Sequence, residues 1–346
     1  MFATAFLKRA YRRLRRRPDS WTHFRSILDT ASLESGEARS GPEKRWLFKR
    51  NVTLVELEPH AYCNRTCSFC PNATIDRLSV RTPIDRGVFD AIIDDLASID
   101  YDRVVRFARY SEPMAHQGIY ELIATTRQRL PRAEIDIVTN GDYLNPQALT
   151  RLCEVGLSVL RISVYMPRGT AWSPAAARGE IARVGRRIGI APEWTSATAT
   201  SVGATFPADR FEIIAFSHNF DEVGYDRGQL VEKLVDSRYV RRSPCFLVFS
   251  NFTIDFNGKV MPCCNLRSDH PQHAQFVLGD LSAPASGNIF DVYASRNFAA
   301  WRRGLATVSD KEEPCRTCKQ KVLGSAELRR LERVVTARLG RTAIGT

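Results

Sequence analysis

His60-Ala61-Tyr62-Cys63-Asn64-Arg65-Thr66-Cys67-Ser68-Phe69-Cys70-Pro71 places three thiols in one short loop, spaced C-x3-C-x2-C with an aromatic just before the last. A four-iron cluster presents four metal corners and this loop reaches three of them. The spacing therefore suits an iron–sulfur cube with one iron left open to bind and activate a ligand. Structural zinc wants four ligands, usually as two separated pairs, and fits a lone triple thiolate poorly. The remaining alternative is a loop of metal-free thiols, for which three cysteines on one turn have no evident packing use.

The run Thr53-Leu54-Val55-Glu56-Leu57 directly before the loop reads as a strand. With the triad and Phe69 it resembles the signature of the radical S-adenosylmethionine (radical SAM) superfamily. That resemblance implies a [4Fe-4S] cluster on Cys63, Cys67 and Cys70 whose open iron chelates S-adenosyl-L-methionine (SAM). Reductive cleavage of SAM would then give a 5′-deoxyadenosyl radical that abstracts a hydrogen atom from the substrate, the cofactor doing the hard step and the protein aiming it. It also implies a low-potential reductant such as flavodoxin or ferredoxin.

The chain has 346 residues, 44% of them hydrophobic, enough for a catalytic domain and an accessory one. No run of eighteen uncharged apolar residues predicts a transmembrane helix, and the N-terminus lacks the pattern of a secretory signal. Nine cysteines are then expected in a reducing, cytoplasmic setting where metal and redox roles outweigh disulfides. The net charge of +12 sits at the ends: residues 1–50 hold 13 Lys/Arg against 5 Asp/Glu, residues 321–346 hold 6 against 2, and the interior is neutral. A neutral body argues against a nucleic-acid enzyme, whose active channel should be basic. Lys8-Arg9-Ala10-Tyr11-Arg12-Arg13-Leu14-Arg15-Arg16-Arg17 can form a basic amphipathic helix. It reads as a docking extension, as a peripheral membrane contact, or as a presequence or nucleic-acid arm.

After the triad, helix-like and strand-like segments alternate, the rhythm of βα units and a parallel sheet. Helices are expected over 85–99, 119–130, 146–155 and 174–188, the last capped by Ser173 with Pro174 in its first turn. Strands are expected over 103–107, 134–138 and 158–164, with the last two strands and an irregular crossover between 194 and 226. The alternation sets the fold class as α/β and closes into a barrel or most of one; the resemblance implies a partial (β/α)6 radical SAM barrel followed by a C-terminal β-hairpin plus helix domain for an auxiliary cluster. The expected divisions are a basic extension (1–50), the barrel (51–235), the auxiliary domain (236–325) and a basic C-terminal helix (326–346).

Chemistry in such barrels gathers at the C-terminal strand ends. Arg109-Tyr110-Ser111-Glu112-Pro113 follows the second strand at the position of the family's Gly-Gly-Glu-Pro segment, which lines the SAM methionyl amine, with Tyr110 and Ser111 replacing both glycines. The resemblance makes Ser111, Glu112, Pro113, Asn140 and Ser163 candidates for SAM contact. Without it, Glu112 reads as a helix N-terminal charge and the others as ordinary turn and strand chemistry. Arg109, Tyr110, Asp142, Tyr143 and Tyr165 are expected by position to line the pocket.

A second cysteine set stands at Cys245, Cys263, Cys264, Cys315 and Cys318. Asn257-Gly258 predicts a β-hairpin between the first two, and Pro314-Cys315-Arg316-Thr317-Cys318 adds a C-x2-C knuckle. Spacing alone allows a second iron–sulfur cluster or zinc. Beside the triad, the set resembles the auxiliary-cluster region called SPASM in its shortened twitch form, which implies one auxiliary [4Fe-4S] cluster on Cys245, Cys263, Cys315 and Cys318. Cys264 is left over, either a hydrogen-atom donor to a substrate radical or a buried filler, and Cys153 reads as helix core. The resemblance implies hydrogen abstraction from a small-molecule or sugar-type substrate, ending in oxidation or epimerisation. The alternatives are a maturase of a ribosomal peptide, whose leader-binding domain residues 1–50 are too short to form, and a zinc-binding scaffold without catalysis.

Overall fold

The computed structural model describes residues 33–283 and 287–339, so the Arg-rich run at 8–17 and residues 340–346 lie outside the described residues. Short branched and aromatic runs become strands: β1 (Leu54–Leu57), β2 (Val104–Phe107), β3 (Glu134–Thr139) and β4 (Val159–Ser163). Helices α1 (Gly41–Asn51), α2 (Arg86–Ser98), α3 (Ile119–Arg129), α4 (Pro146–Glu154) and α5 (Pro174–Ile188) flank them. Three start at side-chain caps. Asp85 accepts from Val88 N, Asn145 from Ala148 N and Ser173 from Ala176 N, satisfying amide donors that the helix itself cannot.

Further on come β5 (Glu193–Ala197), β6 (Ser201–Phe206), β7 (Glu212–His218), the short helices α6 (Phe220–Val223) and α7 (Leu247–Ser250), then β8 (Asn251–Ile254) and β9 (Lys259–Met261). The chain ends with α8 (Pro271–Ala274), β10 (Gly279–Asp280), α9 (Ile289–Ala294), α10 (Arg296–Ala306) and α11 (Ser325–Leu339). The strands form one sheet in the order β10-β9-β8-β1-β2-β3-β4-β7-β6-β5. Its middle six, β8-β1-β2-β3-β4-β7, are parallel.

The region 194–226 departs from expectation. It holds one parallel strand, β7, preceded by the antiparallel pair β5–β6. Three residues join β5 to β6 and five join β6 to β7, and links that short connect only antiparallel neighbours. The sixth parallel strand is β8, from the cysteine hairpin, so the expected border between barrel and auxiliary domain falls inside a single sheet.

Strand pleating separates two faces. Val55, Leu57, Val105, Phe107, Ile135, Ile137, Leu160 and Ile162 join the apolar core under the helices. The opposite face carries Thr253, Glu56, Arg106 and Asp136 side by side in register, with Arg161 reaching Asp136 at 2.6 Å. The barrel interior is thus charged, not greasy.

Residues 41–50, expected within the basic extension, instead form most of α1 and pack into this core. Phe48 sits edge-on to Phe252, Phe290 and Tyr293 at centroid distances of 5.3, 5.4 and 5.4 Å. Lys44 Nζ reaches Asp291 Oδ1 at 2.8 Å. Phe48→Ala is expected to cost about 3–5 kcal/mol of unfolding free energy, measured by urea denaturation, because it removes the ring that ties α1 to α9.

Candidate active site

The triad loop leaves β1 and is pinned by backbone and side chain. Cys63 N donates to Arg77 O at 2.9 Å and Cys70 N to Cys67 O at 2.9 Å. Arg65 grips Asp142 with two bonds of 2.6 Å, Asn64 Nδ2 joins the same carboxylate at 2.8 Å, and Asn140 Nδ2 donates to Asn64 Oδ1 at 2.7 Å. Bidentate guanidinium–carboxylate pairing fixes geometry as well as energy. Asp142, expected to line the pocket, is therefore the anchor that ties the loop to the end of β3. The three thiols share one neighbourhood. Burial pushes Cys63 up to about 11 and Cys67 up to about 12, with neighbouring triad thiols opposing ionisation further.

At the end of β2, Arg109 adopts a left-handed backbone (φ 80°) and its guanidinium bonds Asp255 and Leu266 O. Tyr110 is buried between the Arg109 and Arg267 guanidinium groups, at 5.1 and 4.7 Å, and its hydroxyl donates to Cys264 O at 3.0 Å. Its hydroxyl thus reaches the second cysteine set. Ser111 is buried with its hydroxyl on Ala108 O. Glu112 accepts from Met114 N at 3.0 Å, Thr139 Oγ1 at 2.5 Å and Asn140 N at 2.7 Å. Burial raises its carboxyl to about 7 despite those donors. Ser163 bonds the Tyr165 hydroxyl, and Tyr165 packs on Phe69 at 5.2 Å, while Phe69 stacks on Phe220 at 4.1 Å. Tyr143, also expected in the pocket, is 39% exposed and bonded to Tyr62, at the surface.

The hairpin forms as expected, with Gly258 in the left-handed region (φ 77°) and its amide donating to Asp255 O at 2.9 Å. Cys263 faces Cys245 and Cys315, and Cys315 faces Cys245 and Cys318, so the hairpin and knuckle thiols converge as one set. Burial and mutual repulsion push Cys263, Cys315 and Cys318 up. Cys264 lies near Glu56, Arg227 and Arg109 of the barrel interior, with Gln320 Nε2 at 3.9 Å from its sulfur. Cys153 is only half-buried, with Arg210 Nη1 at 4.0 Å from its sulfur.

Buried ion pairs weld the two cysteine sets together. Arg77 reaches Glu58 at 3.0 Å and Asp269 at 2.8 Å, and Arg267 reaches Asp269 at 2.7 Å and Asn72 at 3.0 Å. Sequence reasoning missed Glu56, Arg227, Thr253 and Asp136. For Glu56 and Asp136 the usable signal was charge inside strands whose other face is apolar; Thr253 and Arg227 carry no such local mark.

Both sets fit clusters by donor chemistry: thiols gathered where each opposes its neighbour's ionisation need bound metal to become thiolates. Among the described residues, no group of three or more His, Cys, Asp or Glu side chains is arranged to hold a metal ion by itself.

Comparisons with known proteins agree with this architecture. Residues 57–169 match the model of the radical SAM superfamily and residues 245–319 match SPASM, an iron–sulfur cluster-binding domain. The chain belongs to the radical SAM superfamily and carries a SPASM domain; it is an enzyme of that family, whose cofactors are [4Fe-4S] clusters and SAM. It is 23% identical to the S-adenosyl-L-methionine-dependent 2-deoxy-scyllo-inosamine dehydrogenase of Niallia circulans over 77% of this chain and 92% of that protein. The solved structure of BtrN in complex with AdoMet and 2-DOIA is similar with a TM-score of 0.52 at 20% identity, covering 73% of this chain and 87% of that one. Native anSMEcpe with bound AdoMet is similar with a TM-score of 0.45 at 11% identity, covering 84% and 98%. Among the described residues no helix is long and apolar enough to cross a membrane.

Glu112 gives a pH test. Its carboxyl is raised in the fold, so it binds more protons folded than unfolded and its contribution is lost as pH rises from about 4.5 through about 7. Relative to Glu112→Gln, the wild-type apoprotein is expected to lose up to about 1.4 kcal/mol of unfolding free energy per pH unit across that window, measured by urea titration at each pH.

Proposed function

We propose that this enzyme dehydrogenates a small polyhydroxylated ring, of the aminocyclitol or sugar type, held inside the barrel between the two cysteine sets. Cys63, Cys67 and Cys70 would hold the SAM-binding cluster, and Cys245, Cys263, Cys315 and Cys318 the auxiliary one. Ser111, Glu112, Pro113, Asn140 and Ser163 would cradle SAM, with Glu112 opposite its ammonium. When bound, these groups supply hydrogen-atom abstraction by a SAM-derived radical and a one-electron acceptor. Loss of a hydrogen atom, then a proton and an electron, converts a substrate CH–OH to C=O.

The observation that carries the reading is a set of buried polar atoms without partners around the interior: Glu56 Oε2, Arg106 Nε, Asp136 Oδ1, Thr253 Oγ1, Arg109 Nη1 and Arg227 Nε. A buried polar atom left unmatched costs about 1–3 kcal/mol, so such a concentration suits a ligand rich in hydroxyl and amine groups. An apolar side chain would leave every one of these atoms unsatisfied. Arg227 is buried within electrostatic reach of Tyr110, Cys264, Cys70 and Tyr165. Its Nη1 donates to Asn265 Oδ1 at 2.8 Å, and Arg227, Gly228 and Gln229 form a left-handed run with φ of 53°, 62° and 73°. Non-glycine residues hold that conformation at a cost, so the surrounding structure must over-determine the position of Arg227. Glu56 supplies the opposite charge, suited to a hydroxyl proton or an ammonium. The likeness to a dehydrogenase of 2-deoxy-scyllo-inosamine supports the same substrate class. A flavodoxin- or ferredoxin-type reductant would approach the triad loop, where Arg168 meets Thr66 and Lys233 meets Ser68 at 3.2 Å each on the exposed side.

Anaerobically reconstituted enzyme is expected to form 5′-deoxyadenosine from SAM and dithionite, and to oxidise 2-deoxy-scyllo-inosamine or a related aminocyclitol. Glu56→Gln and Arg227→Ala should retain uncoupled SAM cleavage while kcat/KM for substrate oxidation falls about 100-fold. Unchanged oxidation in both variants would refute the interior site, and Cys70→Ala that still cleaves SAM would refute the triad.

The placement of Cys264 favours a second reading. Its thiol, kept protonated by burial, faces the interior and could return a hydrogen atom to the substrate radical, giving epimerisation. In heavy water, deuterium on the product carbon, lost in Cys264→Ala, would establish that outcome, whereas a ketone without deuterium at that carbon would establish dehydrogenation.

A further inference from the structure

The knuckle bearing Cys315 and Cys318 is closed by a buried arginine. Arg241 is 1% exposed, and its guanidinium donates to Ser243 O at 2.8 Å, Pro244 O at 2.8 Å, Gln320 O at 2.7 Å and Cys318 O at 3.1 Å. The same Nη1 lies 3.8 Å from Cys318 Sγ, an N–H···S contact. A second cation, Lys311, is 5% exposed and donates to Thr307 O at 2.8 Å, Thr307 Oγ1 at 2.9 Å and Ser309 Oγ at 3.4 Å. Its backbone amide holds Arg241 O at 2.9 Å, so the two cations flank one segment.

All these oxygen partners are neutral. Among the described residues neither cation forms an ion pair with a carboxylate, although burying a charge is costly unless an opposite charge meets it. The buried groups of opposite potential charge nearest them include cysteines: Cys315 and Cys318 toward Arg241, Cys315 and Cys245 toward Lys311. Two acids are also near: Asp226 faces the knuckle, accepting from Thr317 Oγ1 at 2.5 Å and Gly228 N at 3.3 Å, and Asp310 lies toward Lys311 but is largely exposed and paired with Arg242 at 3.3 Å, which leaves Asp226 as the one buried carboxylate beside the two buried cations. As thiols these cysteines carry no charge; as cluster ligands they do.

We propose that Arg241 and Lys311 are the counter-charges of the four-cysteine site and raise its affinity for an electron. This rests on the assignment of Cys245, Cys263, Cys315 and Cys318 to one auxiliary cluster. Reduction adds one negative charge to a centre already made negative by four thiolates, and adjacent cations and N–H donors to sulfur favour that change. They are positioning residues: neither touches the substrate site.

The test uses anaerobically reconstituted full-length enzyme, with iron analysis and a redox titration followed by electron paramagnetic resonance. Wild type is expected to hold about eight irons in two centres. In Lys311→Met and Arg241→Gln, the oxidised-to-reduced ratio of the second centre at fixed ambient potential should rise at least tenfold, a fall of 59 mV in midpoint for a one-electron couple. The triad centre should not move, and Arg241→Lys should recover most of the shift. Eight irons with an unchanged second midpoint in Lys311→Met would overturn the proposal. That variant decides the matter even where Arg241→Gln fails to hold its cluster, because the Lys311 ammonium bonds Thr307 and Ser309, not the knuckle. About four irons in wild type would instead overturn the ligand assignment on which the proposal rests.

Discussion

The parallel pairing of β1 with β8 is the constraint from which the functional arrangement follows. Leu54–Leu57 lies in register with Asn251–Ile254, the strand that launches the triad loop beside the strand that leads into the cysteine hairpin. Two cysteine regions whose first members, Cys63 and Cys245, lie 182 residues apart are thereby tied to one sheet by backbone hydrogen bonds. Their separation cannot drift unless the sheet itself opens.

Charge in the interior reinforces the same geometry. Glu58, Arg77, Asp269, Arg267 and Asn72 link the end of β1, the exit of the triad loop and the segment after the hairpin through successive contacts of 2.7–3.0 Å. Arg109 adds the end of β2 by pairing with Asp255 in the hairpin turn. Buried ion pairs are weak contributors to net stability but strong determinants of register, since a misplaced partner leaves a charge stranded. What this lattice leaves unmatched, chiefly on Glu56, Arg227 and Thr253, lies where a polar ligand would complete it.

Local chemistry made some features legible in advance. The helix from Pro174 to Ile188 begins at its Ser173 cap and stops before Gly189 because capping and left-handed glycine are decided within one turn. The hairpin turn at Asn257-Gly258 and both cysteine spacings were readable for the same reason. Asp142 and Tyr110 were expected near the site and are there, each also as a structural link. Asp142 anchors the triad loop through Arg65, and Tyr110 bridges to Cys264 O. Those roles depend on partners 77 and 154 residues away, which no local pattern encodes.

By itself, the sequence determined the class of chemistry, because the spacing of thiols in a loop decides which metal centre can form there, and it determined the alternating helices and strands through local periodicity. Only the tertiary structure decided that the cysteine hairpin completes the barrel sheet, that α1 belongs to the core, that Cys264 lies near the interior charges, and that Arg227 and Glu56 lie together near it. Each of these is a matter of long-range packing, where satisfying buried hydrogen bonds and charges selects one arrangement from many that the same local pattern allows.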